Sequence, residues 1–207
     1  MSPEEIETLF TRDDGTYRFA RWGRPLAPVV FGVEEETLSV LKGAFEAVVV
    51  LAGHKMAETD PEFGSNCMIF FMRDWAELLD VPDLGKLIPE LDEMVARLRE
   101  AGANQYRVFR FDEDGAIKAA FVFICMDAEM AAQPAGDLAL NQVVQVMLLW
   151  SEGAFRERSP LALAGESTIL RPEIAGVIRA AYDPVMPGAA ADSTHALRLF
   201  ARMEAGA

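Results

Sequence analysis

Tyr106-Arg107-Val108-Phe109-Arg110-Phe111, then Asp112-Glu113-Asp114-Gly115, then the apolar run Ala116 to Cys125, form the stretch that decides the fold. The first part alternates polar and apolar residues, the mark of a half-buried strand. The middle part is turn chemistry, and the last part is a second, more apolar strand. Together they predict a β-hairpin. The acidic turn resembles a fragment of a calcium loop but lacks the other spaced ligands, so turn formation accounts for it.

Upstream of the hairpin, Leu87 to Ala101 has helical periodicity and is closed by Gly102, and Trp75 to Leu79 predicts a shorter helix. These helices lie between strands, as an insertion. Cys67-Met68-Ile69-Phe70-Phe71-Met72 is continuously apolar, which suits a strand covered on both faces. Before it, Leu38, Leu41, Phe45, Val48 and Val49 recur at helical spacing behind Glu34-Glu35-Glu36, whose charges favour a helix start. Phe19 to Val33 reads as extended. Pro25 and Pro28 make its first half irregular or an edge, because proline cannot donate to a sheet ladder. Ile6 to Phe19 predicts a short helix and a turn at Asp13-Asp14-Gly15.

Downstream, a second long helix is expected from Gly136-Asp137 through Trp150 to Gly153, with Asp137 as its N-cap. A loop follows, then a helix from Pro172 to Tyr182 and a last one from Ser193 to Met203. No repeat or linker interrupts this order. The expectation is one α+β domain over residues 1–207, a twisted mixed sheet packed on two long helices with additional C-terminal helices.

Composition narrows the functional classes. The 207 residues are 51% hydrophobic and carry a net charge of -14, so the chain is acidic with ample material for a core. Phosphate binding needs a basic surface, and that balance argues against nucleic acid and against an anionic membrane. Arg18, Arg21 and Arg24 form the strongest local basic cluster, within an acidic whole. No apolar stretch reaches membrane-spanning length, and Met1 to Glu7 has no basic start or apolar run of a secretory signal. A soluble, cytoplasmic protein is expected, or an exported one if a signal has been removed. Cys67 and Cys125 lack metal or redox spacing and are expected to be buried, reduced thiols.

The helix from Asp137 to Glu152 is apolar round most of its circumference, and its polar interruptions are Asn141, Gln142 and Gln145. Spacings of three and four put these amides on one face. They read either as a narrow solvent-facing stripe or as the floor of a cleft. For Gln145, between Val144 and Val146, partial burial and a hydrogen-bonded amide are expected.

This pattern resembles the active-site helix of the metzincin and matrixin-like zinc peptidases, where two histidines four apart flank a glutamate. Asn141 and Gln145 stand at the histidine positions, Gln142 at the glutamate, Leu148 at a glycine, and Ser151 at the third ligand. Arg21 to Phe31 resembles the first strand of such a domain, and Leu170 to Tyr182 its closing helix. Ala181-Tyr182-Asp183-Pro184 is similar to a segment of an uncharacterised family of bacterial proteins with a zincin-like shape. The resemblance covers about residues 19–188 and implies a degenerate metallopeptidase frame that has lost its ligands. Neutral amides are poor zinc donors, and the two histidines, His54 and His195, lie elsewhere. No catalytic residue, metal or cofactor is therefore assigned. Nucleophile elbows and phosphate-cradling glycine loops are absent too. The expected role is a non-catalytic module that binds a peptide or protein in a cleft marked by Asn141, Gln142, Gln145, Ser151 and Tyr182. The alternative is a hydrolase with an unfamiliar site in the same cleft, using Glu152, Tyr182 or another carboxylate.

Overall fold

The computed structural model describes residues 1–206. In chain order it contains α1 (Pro3–Thr8), β1 (Phe19–Ala20), β2 (Pro28–Phe31), α2 (Glu35–Leu51) and β3 (Cys67–Met72). A 3-10 turn at Trp75–Asp80 leads to α3 (Leu84–Leu87), α4 (Leu91–Glu100), β4 (Gln105–Phe111) and β5 (Ile117–Cys125). The C-terminal part holds α5 (Ala128–Ala131), α6 (Ala135–Met147), β6 (Leu161–Ala164), β7 (Ser167–Leu170), α7 (Pro172–Ala181), β8 (Ala189–Ala190) and α8 (Thr194–Ala205). The α+β class is as expected.

The main sheet has the order β2-β3-β5-β4, with β2, β3 and β5 parallel and β4 antiparallel to β5. Pro28 opens β2 at one edge of this sheet, where its missing N–H costs no ladder bond. The central strands β3 and β5 have to be apolar on both sides because helices cover both faces. Cys67, Ile69 and Phe71, with Ala120, Val122 and Ile124, face a core shared with α2, α6 and α7. Phe70, Met72, Phe121, Phe123 and Cys125 face a second core built from Trp75, Leu78 and the apolar side of α4. The insertion between β3 and β4 is thus the layer that closes the sheet's second face. Cys67 and Cys125 are free and lie on opposite faces, so the sheet itself stands between the two thiols.

Four local expectations change. The predicted helix from Leu87 to Ala101 is broken into α3 and α4, because Pro89 follows Ile88, and Glu90 takes a left-handed backbone with φ 59°. Phe19 to Val33 is two short strands in different sheets, since β1 pairs with β8 and not with β2. The segment read as a loop after Gly153 contains the β6–β7 hairpin. Most consequential for the site, α6 stops at Met147 and does not run on to Gly153, and Asp137 sits in its first turn and does not cap it.

The end of α6 has a tertiary cause. Trp22 Nε1 donates to the Val146 carbonyl at 2.9 Å, the Tyr182 hydroxyl to that of Met147 at 2.7 Å, and Trp150 Nε1 to that of Val144 at 3.0 Å. Aromatic side chains from three segments thereby satisfy carbonyls that a helix end leaves open. Beyond them Leu148 bridges Arg21, and Leu149 N–H bonds the Ala20 carbonyl at 2.9 Å. Pairing with the N-terminal segment replaces further helical turns, although nothing in Leu148-Leu149-Trp150 forbids a helix.

Candidate functional site

β4 is the other edge of the sheet. Its register with β5, and the bond from Cys125 N–H to the Asn104 carbonyl, set the phase of the ladder. In an antiparallel pair, hydrogen-bonded and non-bonded positions alternate. The backbones of Tyr106, Val108 and Arg110 therefore turn towards β5, and those of Gln105, Arg107 and Phe109 turn outwards. Among the described residues those three outward backbones have no backbone partner outside the strand ladder. Side chains alternate with the same period, to the two faces of the sheet. Tyr106 and Val108 pack on the second core, while Phe109 and Phe111 pack on the first. Arg107 shares the face of Phe109 and Phe111, so an arginine stands where the strand's pattern puts apolar side chains.

A groove of about 830 Å³ runs beside this edge. Gln105 to Phe109 and Phe111 of β4 form one wall, α6 contributes Asn141 and Gln145, and the segment Leu149 to Pro160 forms the other wall. That segment is held from below. Ser151 N–H donates to the Leu9 carbonyl at 2.8 Å and Ser151 Oγ to that of Thr8 at 3.2 Å, which ties it to α1. Trp150 stacks on Phe10 with ring centres 5.2 Å apart and meets Phe155 edge-on at 5.0 Å. The groove's wall is thus an aromatic block anchored in the core, with polar side chains on its rim.

The amides of α6 divide. Gln142 is 1% exposed and points at β4, where its Oε1 accepts from Arg107 Nη2 at 2.5 Å. Its Nε2 donates to Gln105 Oε1 at 3.2 Å, and Arg107 Nη2 also reaches that oxygen, at 3.0 Å. Gln145 is half-buried, as expected, and its Nε2 donates to Asn141 Oδ1 at 2.8 Å. The three polar residues do share one face, but the deepest is Gln142. Asn141, Gln145 and Ser151 line the groove, and Gln142 underlies it as the partner of Arg107.

Tyr182 is not part of this groove. It lies in the first core, 9% exposed, with its hydroxyl on the Met147 carbonyl and its ring 4.9 Å from His54. Burial drives its phenol pKa upwards. Glu152 does line the groove, in an ion pair with Arg12. The two side chains named for a hydrolytic alternative are therefore on different sides of the α6 terminus. His54 bonds the Arg24 carbonyl at 3.0 Å, and burial lowers its pKa, so it is neutral and not the helix-end cation that its position suggests.

Charge in the groove differs from that of the chain. Three arginines, Arg12, Arg107 and Arg156, face two glutamates, Glu152 and Glu157, on its lining. Arg12 pairs with Glu152, and Arg156 with Asp13 at 3.5 Å. Arg107 has no carboxylate partner: its acceptors are neutral amides and its Nε is buried with none. Burial without a counter-charge pushes its pKa down. Among the described residues no three His, Cys, Asp or Glu side chains gather into a metal-holding group. Among the described residues no helix is long and apolar enough to cross a membrane.

Arg107, Gln105 and Trp150 were not singled out in the sequence. The signal for Arg107 was present in the hairpin: counting by two from Phe109 and Phe111 places it on their apolar face. Nothing comparable marks Trp150, whose role depends on α6 ending before it. Comparison of the chain with protein-family models, curated proteins and solved structures finds no match.

Proposed function

We propose that the chain is a non-catalytic binding module that takes an extended peptide, or an extended segment of a protein, along β4. The observation that carries this reading is the juxtaposition of an open strand edge at Gln105, Arg107 and Phe109 with a groove whose far wall is anchored by Trp150. An added strand gains main-chain hydrogen bonds from the edge, and the pockets beside it select side chains. Asn141, Gln145 and Ser151 give the groove adaptable polar contacts, and the aromatic wall gives it apolar area at low entropic cost. On the zincin-like reading of the frame, this is where a peptidase cleft would lie, with amides in place of ligands. That ancestry is part of the proposal and is not needed for the binding.

The test is selection of displayed heptapeptides on the immobilised full chain, followed by backbone amide NMR with the selected sequences. Selected peptides are expected to shift the amide signals of Gln105, Arg107 and Phe109. Gln145→Trp, which fills the groove from a half-buried position, should weaken them about tenfold or more. Peptides that map to another surface, or that bind Gln145→Trp unchanged, would refute the proposal.

A further inference from the structure

From the partly buried guanidinium of Arg107, which has no carboxylate partner in the groove wall, we infer that the groove holds a carboxylate-anchoring site and that the peptide it takes presents a carboxylate to Arg107. This rests on the peptide-binding reading for the identity of the ligand, but the anion site stands on its own geometry.

Arg107 Nη2 is committed to Gln142 at 2.5 Å and Gln105 at 3.0 Å, while Nε is enclosed with no acceptor. The amide of Gln142 is fixed in turn by its bond to Gln105, so the guanidinium plane is positioned before any ligand arrives. An arginine held among neutral groups lacks a counter-charge, and a ligand carboxylate supplies it. Among the described residues no acceptor occupies Nη1, so its two N–H groups are left for a ligand oxygen, and prior positioning reduces the entropy lost on binding. The chain has 33 acidic residues against 19 basic ones, yet among the described residues no carboxylate forms an ion pair with this guanidinium.

The surroundings choose a monoanion. Of the other cations on the lining, Arg12 pairs with Glu152 and Arg156 with Asp13, and Glu157 adds a further negative charge to the rim. A phosphate dianion would meet one free arginine and this acidic rim, whereas a carboxylate asks only for the single charge that Arg107 offers. Position supports a peptide as its source, because Arg107 lies between Gln105 and Phe109 on the open backbone edge.

Acetate, acetamide and inorganic phosphate, each titrated into isotope-labelled full chain, separate the possibilities. Acetate is expected to give a saturable shift of the Arg107 Nε–Hε signal, acetamide none, and phosphate a weaker one. Arg107→Gln should abolish acetate-dependent shifts of the Gln142 side-chain signal. Arg107→Lys, which keeps the charge without the planar, pre-positioned guanidinium, should weaken them about tenfold. An unmoved Nε–Hε signal, an equal response to acetamide, or acetate-dependent Gln142 shifts that survive in Arg107→Gln would overturn the site. With peptides selected as above, amidating the C-terminus should cost about tenfold if the anion is the chain end, and replacing an internal Asp or Glu by its amide should cost as much if it is a side chain. Peptides indifferent to both changes would refute the anchoring role while leaving groove binding intact. An acetate response without any selected peptide would leave the anion site and remove the peptide.

Discussion

At the residue scale, the most informative pair is Gln142 and Gln145. They are three positions apart on one helix face, yet Gln142 is sealed against Arg107 and Gln105, and Gln145 shares its hydrogen bond only with Asn141 on the groove lining. Removing an amide that satisfies a buried charged donor costs roughly 1–3 kcal/mol, while truncating a half-open glutamine to a better helix former costs under about half a kcal/mol. Gln142→Ala is therefore expected to lose about 2 kcal/mol in urea unfolding, and Gln145→Ala to stay near the parent. Equal losses for the two would show that Arg107 does not depend on Gln142. The sequence placed both amides on the right face. Their ranking was not legible, because it depends on which of them meets an arginine from a strand some 35 residues away in the chain.

At the scale of elements, the junction of β2 with α2 is held by one close approach. Gly32 follows the last residue of β2 with φ +81°, and a Cβ built there would lie 2.0 Å from the Phe71 carbonyl oxygen of β3. No side chain fits between parallel strands at that distance, and the left-handed backbone is unfavourable for L residues in any case. Gly43 is the natural control: it is exposed in the middle of α2 and its Cβ would meet nothing. Gly32→Ala should lose more than about 3 kcal/mol or fail to fold, whereas Gly43→Ala should gain about 0.5–1 kcal/mol. Denaturant midpoints of opposite sign relative to the parent are the expected result. A Gly32→Ala protein as stable as the parent would mean that β2 and β3 do not meet in this register.

At the scale of the whole molecule, the two ends of the chain are joined through His195 on α8. Its Nδ1 lies 2.8 Å from the Tyr17 hydroxyl, its ring is 4.2 Å from that of Phe19, and its Nε2 is buried with no partner. Burial first, and then the nearby Arg198, lower its pKa from 6.5 to about 4. Protonation would give the ring a second N–H with no acceptor. A cation with a depressed folded pKa binds its proton more readily in the unfolded chain. The stability tied to neutral His195 is therefore complete above pH 6.5 and is lost as the pH falls towards 4, by roughly 2 kcal/mol after allowance for screening. Carboxylates such as Asp60, held below their usual 3.8, act only at lower pH. His195→Leu should reduce the slope of the stability profile between pH 6.5 and 4, whatever it does to the overall level, and leave the share of His54, whose pKa burial also lowers. An unchanged slope in that variant would assign the acid sensitivity elsewhere.

By itself the sequence determined what depends on neighbours along the chain. Alternation in Tyr106 to Phe111, the continuous apolar runs of β3 and β5, and the 3.6-residue recurrence in α2 and α6 carry the α+β class and the polar face of α6, because each reports a local period. What only the tertiary structure decided depends on partners far along the chain. Tyr182 has the chemistry of a site residue, but its hydroxyl is used to close α6 at Met147. Leu148 to Trp150 look helical, and pairing with Ala20 and Arg21 puts Leu149 and Trp150 into the wall of a groove. Arg107 reads as half of an alternating pattern, and only the arrival of α6 turns it into a partly buried cation held by neutral amides. Helical and strand periods are written in single segments, whereas burial of a charge or the end of a helix is settled by whichever distant donors and acceptors the packed core brings within bonding distance.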